Sequence, residues 1–328
     1  GLRWNVAESV PIHEDIKVGE GDLTRLFDNY KTSIRNLAAE GIHIIIYNFM
    51  PVLDWVRTYM RFTLPNGAQS LRFAPIPFAA FEIHALKRTN AEADYTPDQQ
   101  NKAAQWWNAL TAAAQQSFIQ TIIDVFPGCK LGLSLDQIRA MLARYHHITA
   151  AHLTDNLACF LNAVLPTAEE VGTHLAIHPD DPPFPVLGLP RIVSTADHLE
   201  KILELNPSPA NGLCLCTGSL SARADNDIPA IIDRFAPRIH AVHLRSTQRN
   251  PDGSFHEAEH LAGSLDMPAI VRKLLAEQDR RTKENRPDVQ LPFRPDHGHN
   301  MMDDLAKPLG ITPGYSAIGR MKGLSELR

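Results

Sequence analysis

Short apolar runs recur along this sequence, and most of them follow a segment with helical periodicity. The runs are WNVAE at 4–8, IHIIIY at 42–47, THLAIH at 173–178, LCLC at 213–216, IHAVHL at 239–244 and LPF at 291–293. The helical segments before the last five are expected at about 23–40, 154–171, 196–205, 228–235 and 267–283. Strands that are apolar on both faces are typical of parallel sheets covered by helices. The pattern therefore predicts an α/β fold.

The alternation also indicates how the sheet closes. Repeated βα units give parallel strands with helices outside. Six such strands in 328 residues fit an eight-stranded (β/α)8 TIM barrel better than an open sheet, and barrels of this length commonly form one domain. We therefore expect a single barrel domain over 1–328. The sequence starts at Gly1 on a strand-like run and stops at Arg328 inside a helix-like segment, so we expect further sequence beyond both ends.

Residues 51–150 interrupt the alternation of strands and helices. Helices are expected at about 98–117 and 135–145, so we interpret 51–150 as a mostly helical insertion after the 42–47 strand. Such an insertion either packs over the barrel or forms a lid or subunit contact, and the sequence does not separate these two roles.

The overall charge and the cysteine content exclude some classes of function. A net charge of −5 gives no electrostatic reason to expect nucleic acid or an anionic membrane as partner. No apolar run approaches the ~20 residues that span a bilayer. The four cysteines, Cys129, Cys159, Cys214 and Cys216, are too few and too unevenly spaced for a disulfide framework. We therefore expect a protein of the reducing cytoplasm.

Four successive predicted strands end in residues that can bind a transition metal, namely His178, Cys216, His243 and Asp296. Singly, each has a simpler explanation, because a strand histidine is often hydrogen-bonded in a core and a strand cysteine is often a small apolar group. In a (β/α) barrel, however, the carboxyl ends of all strands meet at one mouth. The four positions together therefore predict a site for one divalent ion, with Mn²⁺, Fe²⁺, Co²⁺ and Zn²⁺ all compatible with the donor set.

The alternation of side chains along a strand refines this prediction. Cys214 and Cys216 share a face, but only Cys216 is near enough to the strand end to reach the mouth, so Cys214 is interpreted as a deeper core residue. By the same rule Arg245 shares a face with His243. A guanidinium beside a metal suits a substrate carboxylate, which arginine binds with two parallel hydrogen bonds, whereas the alternative is a salt bridge at the rim.

Several longer segments resemble the mannonate dehydratase family. They are 8-ESVPIHEDIK-17, 46-IYNFMPVLDW-55, 178-HPDDPP-183, 188-GLPRIVST-195, 216-CTGS-219, 223-RADND-227, 243-HLRST-247, 294-RPDHGH-299 and 313-PGYSAIGRMKG-323. The resemblance implies a xylose-isomerase-like (β/α)8 barrel that binds Mn²⁺ or Fe²⁺ and converts D-mannonate to 2-keto-3-deoxy-D-gluconate in hexuronate (glucuronate) catabolism. It also implies that the first βα unit of the family would precede Gly1.

The resemblance places functional roles on individual residues. The family's metal ligands fall on the four strand-end residues, and its acid/base residues fall on His297 and Tyr315. Which of the two is acid and which is base stays open, and their alternatives are a supporting hydrogen bond and a packed aromatic ring. Apart from the resemblance, Arg245 is the leading expected contact for the substrate carboxylate, Arg191, Arg223 and Arg320 are other basic candidates, and Asn48 is a further expected substrate contact.

Other functions share this fold. A metal-dependent sugar isomerase or epimerase is the main alternative, although its site is expected to be dominated by carboxylates. A barrel endonuclease should carry a basic groove, which the net charge of −5 disfavours. A sugar-acid binding protein without activity would be distinguished by turnover. We expect a small sugar acid as partner, neither nucleic acid nor membrane, and a homo-oligomer of two or more copies.

Overall fold

The computed structural model describes residues 3–126, 132–307 and 314–328. Its main sheet has six parallel strands in the order β1-β2-β5-β6-β7-β10. Their bounds are β1 Val6–Glu8, β2 Ile44–Tyr47, β5 His174–Ile177, β6 Asn211–Cys216, β7 Ile239–Leu244 and β10 Phe293–Pro295. The six predicted strands are therefore all present and parallel, which confirms an α/β fold of barrel type. The last strand starts two residues later than predicted.

A second sheet is antiparallel and has the order β3-β4-β9-β8. Its strands are β3 Tyr59–Thr63, β4 Gln69–Phe73, β8 Thr247–Arg249 and β9 Phe255–Glu257. The first two lie in the segment 51–150, so this segment contains a β-hairpin in addition to the predicted helices. The other two directly follow β7, and the second sheet therefore joins the insertion to the carboxyl end of a main-sheet strand.

The helices are numbered in chain order. Those among the strands of the main sheet are α1 Glu14–Val18, α2 Leu23–Ala39, α7 Ala150–Glu170, α8 Ala196–Leu205, α9 Thr217–Ser221, α10 Ile228–Phe235, α11 Met267–Lys283 and α12 Ala317–Leu327. The insertion carries α3 Pro75–Ala80, α4 Pro97–Asn108, α5 Ala112–Ile123 and α6 Leu135–Ala143. None of the described helices combines the length and apolarity that crossing a bilayer requires.

Helix caps explain where the predicted bounds succeed and fail. The predictions 196–205, 228–235 and 267–283 are confirmed, and in each case a Thr or Asp side chain before the helix accepts a backbone N–H. Helix α7 begins earlier than predicted because Thr149 and His152 form a reciprocal cap. The single helix expected at 98–117 is wrong, because Thr111 caps a second helix in the middle of that span.

Burial follows the layers expected for such a sheet. The outward side chains of the main strands pack with α2, α7, α8, α10 and α11 in one large apolar cluster. A second cluster joins the helices of the insertion to the antiparallel sheet. Inside the main sheet a much smaller cluster consists of Ile46, Ala176, Cys214 and Ala241. The curved interior is thus narrow and apolar at this depth, and the next layer toward the strand ends is polar.

Candidate metal centre and active site

The polar layer at the carboxyl ends of the main strands contains all four predicted metal ligands. Side chains two residues apart on a strand share a face, and four members of this layer follow a residue of the interior cluster by two positions. The layer consists of Glu8, Asn48, His178, Cys216, His243 and Asp296. All six come from different strands or strand ends, and only the curvature of the sheet brings them together.

Donor atoms in this layer are close enough to share one ion. Those of Cys216, His243 and Asp296 lie within 4.8 Å of one another. Those of His178, Cys214 and His243 do so as well, and the rings of His178 and His243 are 5.1 Å apart. Cys214 belongs to the interior cluster, as expected. Its thiol nevertheless lies within ligand distance of both histidines. The assignment of the four ligands remains a prediction.

Unpartnered buried nitrogens fit a metal at this position. His243 is 1% exposed, and within the described part of the chain neither of its ring nitrogens has a hydrogen-bond partner. An imidazole without partners is costly in a core, and a cation would satisfy it. Nδ1 of His178 lies 2.7 Å from the carbonyl oxygen of Pro179. A carbonyl only accepts, so Nδ1 donates and Nε2 keeps the lone pair that a metal needs.

The two thiols of the site differ in acidity. Burial opposes ionisation of Cys216, but the charge and hydrogen bond of His178 outweigh it, so its pKa lies below the ordinary value. The Ser219 hydroxyl adds a hydrogen bond of 3.1 Å to the sulfur. Burial raises the pKa of Cys214 well above its ordinary value. Cys216 is thus the better thiolate, which supports its prediction as the metal ligand.

His178 and Cys216 influence each other's ionisation. Burial lowers the pKa of His178, but the negative charge of Cys216 raises it to about 9. A metal ligand set needs the neutral imidazole and the thiolate together, so the affinity for a metal would rise with pH.

Helix α9 and the residues after β7 form one tightly packed corner of the site. The Thr217 hydroxyl donates to the Arg245 carbonyl at 2.6 Å and accepts from the Arg245 amide at 3.0 Å. A Cβ on Gly218 would lie 2.3 Å from Cγ of Arg245. Only glycine therefore allows the arginine stem to cross α9, and this crossing directs the guanidinium toward the polar layer.

The Arg245 guanidinium is held in a buried cluster of charges. Its Nε and Nη2 each donate to Glu257 at 2.7 Å, and its Nη1 donates to Asp181 at 2.7 Å. Arg57 donates to the same two carboxylates, at 3.0 Å to Asp181 and 3.1 Å to Glu257. These four side chains are all at most 4% exposed. The alternative interpretation of Arg245 was a salt bridge at the rim. The structure shows instead that its ion pairs form a fully buried network.

His297 and Tyr315 lie beside each other next to the predicted ligand Asp296. His297 Nε2 is 3.3 Å from the Tyr315 hydroxyl, and the two rings meet edge to face at 5.2 Å. His297 has a backbone φ of 54°, which is a left-handed conformation that a non-glycine residue rarely adopts. Strained backbone of this kind is concentrated at functional sites. Burial raises the pKa of Tyr315 above its ordinary value, so its hydroxyl is protonated at neutral pH.

Comparison with known proteins assigns the chain to a family. Residues 1–328 match the family model of D-mannonate dehydratase (UxuA). The chain belongs to the mannonate dehydratase family. It is 50% identical to the mannonate dehydratase of Chromohalobacter salexigens and 47% identical to that of Marinomonas sp., in each case over 100% of this chain and 83% of the relative.

A solved structure shares the fold as well. The crystal structure of mannonate dehydratase from Streptococcus suis serotype 2 superimposes with a TM-score of 0.73 at 33% identity, over 99% of this chain and 76% of that one. The resemblance seen in the sequence motifs is therefore confirmed by the family match and by the fold.

In this member of the mannonate dehydratase family a cavity of about 110 Å³ opens above the polar layer. Its walls are Glu8, Ser9, Asn48, Met50, Asp54, Trp55, His178, Asp181, Arg245, Arg294, Asp296, His297 and Tyr315. Of the predicted substrate contacts, Asn48 and Arg245 line this cavity. Both predicted acid/base residues line it too, so the structure brings these predictions together at one opening.

The other three predicted substrate contacts lie elsewhere among the described residues. Arg191 is fully buried, 3.8 Å from Asp180. Arg223 is partly exposed and forms an ion pair with Asp225. The Arg320 guanidinium lies over the Tyr315 ring, 5.6 Å from its centre. None of these three arginines is part of the cavity wall.

Sequence reasoning missed three groups of this site. Glu8 is the last residue of β1, as Cys216 is the last residue of β6. The search for metal-binding residue types at strand ends would therefore also have identified Glu8. Arg294 bridges Glu8 and Asp296, with a distance of 3.0 Å between its Nη2 and the Asp296 carboxylate. Glu257 had no signal in the sequence, because it lies on the short strand β9 of the second sheet.

A further group of donors lies at the opposite, amino ends of the main strands. His174 and His240 stack with their ring centres 4.2 Å apart, and Asp288 is within ligand distance of both. The Asp288 carboxylate is bonded to the guanidinium groups of Arg281 and Arg286, so its charge is already neutralised. This group is separate from the site at the carboxyl ends.

Proposed function

We propose that this protein is a metal-dependent hydro-lyase that dehydrates D-mannonate to 2-keto-3-deoxy-D-gluconate. The observation that carries the proposal is the polar layer itself, in which a thiol, imidazoles and a carboxylate converge beside the His297–Tyr315 pair. The match to the mannonate dehydratase family over 1–328 supports the same reaction. A sugar isomerase or epimerase is not favoured by that match.

His178, Cys216, His243 and Asp296 would hold one divalent ion. We propose Mn²⁺ or Fe²⁺, and the mixed soft and hard donors also fit Co²⁺ or Zn²⁺. The bound ion would supply Lewis-acid stabilisation of the negative charge that develops on the substrate carboxylate when C2 loses its proton. The protein supplies the arrangement of donors and excludes water, since all four side chains are 9% exposed or less.

Dehydration requires two proton transfers close together. C2 gives up a proton, and the C3 hydroxyl leaves as water once it accepts one. The resulting enol becomes the 2-keto acid when its C2 hydroxyl gives up a proton and C3 takes one up. We assign the first two transfers to His297 and Tyr315, because both line the cavity and their exchangeable groups are 3.3 Å apart. A substrate seated against this pair would bring C2 and C3 near both groups at once.

The substrate contacts follow from the cavity wall. We propose Asn48 for a substrate hydroxyl and Arg245 for the carboxylate. Four of the five N–H groups of Arg245 already donate to Asp181, Glu257 and Ser219, so it would offer one hydrogen bond and not the two parallel ones expected from the sequence. Arg294 is a second basic candidate, since it lines the cavity and its buried Nε has no hydrogen-bond partner among the described residues. The roles of Arg191, Arg223 and Arg320 as substrate contacts stay predictions. Their positions outside the cavity wall favour a structural role in the segments beside it.

The direct test is turnover. Protein loaded with Mn²⁺ or Fe²⁺ should release a 2-keto-3-deoxy acid from D-mannonate, and D-mannose should give no product because it lacks the carboxylate. Formation of a ketose from an aldose, with no product from D-mannonate, would overturn the assignment in favour of the isomerase.

The proton-transfer assignment has its own test. His297→Asn and Tyr315→Phe each remove a proton donor at nearly constant shape. Both variants should keep their metal, measured by elemental analysis, and lose most of their turnover, about 10²-fold or more for a general acid or base. A variant that loses its metal would instead identify a ligand or its support, and one that keeps the full rate would show simple packing.

Further properties of the protein are proposed from the same family. We propose that it acts in hexuronate breakdown in the cytoplasm and works as a homo-oligomer. Cys159 lies on the surface, and Cys214 and Cys216 are buried and free, which supports a reducing compartment, whereas Cys129 lies outside the described residues. Size-exclusion chromatography with light scattering would measure the number of copies.

A further inference from the structure

Glu257 is a buried carboxylate that joins three separate parts of the molecule. It is 1% exposed and ends β9 of the second sheet. It accepts from Arg245 and from Arg57, and its Oε1 lies 3.2 Å from Nδ1 of His297. Strand β9 pairs with β4 of the insertion, with Phe73 opposite Phe255. Glu257 thus links the insertion to the proposed proton-transfer residue.

The two guanidinium groups keep this carboxylate ionised. Burial alone would favour the neutral acid, but the positive charges of Arg245 and Arg57 hold the pKa of Glu257 well below its ordinary value. Asp181 does not compete for the histidine, because its carboxylate is bonded to the same two arginines on their other side. An anion is therefore fixed 3.2 Å from Nδ1 of His297, whereas the Asp296 carboxylate lies farther from Nε2, at 3.9 Å.

A fixed anion beside Nδ1 has a specific consequence for an imidazole. A carboxylate only accepts, so it favours the tautomer with the proton on Nδ1 and leaves the lone pair on Nε2. Nε2 is the atom that lies 3.3 Å from the Tyr315 hydroxyl at the cavity. The left-handed backbone at His297 fixes the other end of the side chain. The backbone and the Tyr315 contact thus hold the ring, while Nδ1 faces the Glu257 carboxylate at 3.2 Å without a hydrogen bond of good geometry.

We propose that Glu257 is a positioning residue that orients the His297 ring and sets its tautomer for proton transfer at Nε2. This inference rests on the proposed role of His297 in the reaction. Glu257 itself is not among the described residues that line the cavity, so it acts through the histidine and not on the substrate. It also gives the insertion a role, because β4 of the insertion holds the strand that carries Glu257.

The chain provides a matched control. Asp181 accepts hydrogen bonds from the same two arginines, at 2.7 Å and 3.0 Å, and is buried as well, but within the described part of the chain it forms no hydrogen bond or ion pair with His297. Glu257→Gln and Asp181→Asn therefore each remove one negative charge from one cluster at nearly constant shape. Only Glu257→Gln removes the negative charge that lies next to the His297 ring.

The first readout is the state of the His297 ring. In ¹⁵N-histidine-labelled protein loaded with diamagnetic Zn²⁺, the His297 signals are assigned by their loss in His297→Asn. Glu257→Gln should shift the His297 ring nitrogens away from the Nδ1–H pattern, whereas Asp181→Asn should leave that pattern unchanged. Unchanged His297 signals in Glu257→Gln, or equal shifts in both variants, would overturn the proposal. If Glu257→Gln does not fold, Glu257→Asp replaces it in the same measurement. This variant keeps the negative charge but moves it away from the His297 ring, so the same shift is expected.

The second readout is a double-mutant cycle on turnover. Glu257→Gln should lower kcat at least tenfold with little change in KM, since loss of an orienting carboxylate costs up to ~10⁴ in a serine protease triad. In a His297→Asn background the same change should have no further effect on kcat, because the group through which it acts is gone. An equal loss in both backgrounds would show a structural role. If the wild type does not dehydrate D-mannonate, the proposed function fails, and the ring signals still decide the role of Glu257.

Discussion

Gly298 packs directly against the backbone of Gly319, although 20 residues separate them in the chain. A Cβ on Gly298 would lie 2.4 Å from the carbonyl carbon of Gly319, and one on Gly319 would lie 2.1 Å from the carbonyl oxygen of His299. The first turn of α12 is thereby pressed onto the segment that follows Asp296. This contact sets the position of Tyr315, which precedes α12, relative to His297.

The first prediction tests this contact. Gly319→Ala should displace α12, because the obstructing atoms belong to the backbone and cannot rotate away. Overpacking of this kind costs about 1–3 kcal/mol of folding free energy. Turnover should fall further than metal content, since Tyr315 moves while the strand-end donors stay in place. Urea unfolding, kcat and elemental analysis measure the three effects, with Ser325→Ala on the exposed side of α12 as the control.

The second prediction separates the two buried cysteines. Cys216→Ser should weaken metal binding by more than roughly tenfold, because the thiolate with the lowered pKa is lost. Cys214→Ser should keep the metal, since the pKa of this thiol is raised well above its ordinary value and it lies in the apolar layer below. Competition with a chelator measures both affinities. The reverse order of losses would exchange the roles of the two residues.

The third prediction concerns the buried charge cluster. Arg245→Ala leaves the Asp181 and Glu257 carboxylates with Arg57 alone, and breaking a buried pair in this way costs about 3–5 kcal/mol. We expect kcat/KM to fall more than tenfold as well, since Arg245 lines the cavity. Arg223→Ala, which breaks the partly exposed pair with Asp225, should cost no more than about 1 kcal/mol. Unchanged kinetics in a folded Arg245→Ala protein would exclude a substrate contact.

The fourth prediction is a dependence of stability on pH. Burial, reinforced by His174 and Arg281, lowers the pKa of His240 to about 3, while Asp288 and the Pro209 carbonyl oppose this. Because the folded-state pKa is depressed, the neutral ring stabilises the protein above the unfolded pKa near 6.5, and this stability is lost as pH falls below that value. One such histidine contributes about 2 kcal/mol of loss between pH 7 and pH 5.

Substitution of this histidine checks the fourth prediction. His240→Gln removes the titrating ring, so its unfolding free energy should differ less between pH 7 and pH 5 than that of the wild type. His147→Asn on the surface is the control and should keep the wild-type difference. Urea unfolding at both pH values gives the comparison. An identical pH dependence in His240→Gln and the wild type would contradict the assignment.

Local sequence patterns were enough to predict most of the main sheet and its helices. The bounds of α8, α10 and α11 follow from a cap residue and an apolar stripe, both of which are visible within a few neighbouring residues. The second sheet was missed for the opposite reason. Strands β8 and β9 have three residues each, and the strand that joins them to the rest of this sheet, β4, lies about 180 residues away from β9, so no local pattern distinguishes them from loops.

By itself, the sequence determined the parallel strands, the layer of polar residues at their ends and the family to which the chain belongs. These properties depend on alternation along single strands and on long motifs, and both are local. Tertiary structure alone decided that Arg245 is enclosed by Asp181 and Glu257, that Arg191, Arg223 and Arg320 lie away from the cavity, and that Glu257 meets His297. The physical reason is that a side chain's partners depend on how distant segments pack, and the energy of a buried charge is set by those partners and not by its neighbours in the chain.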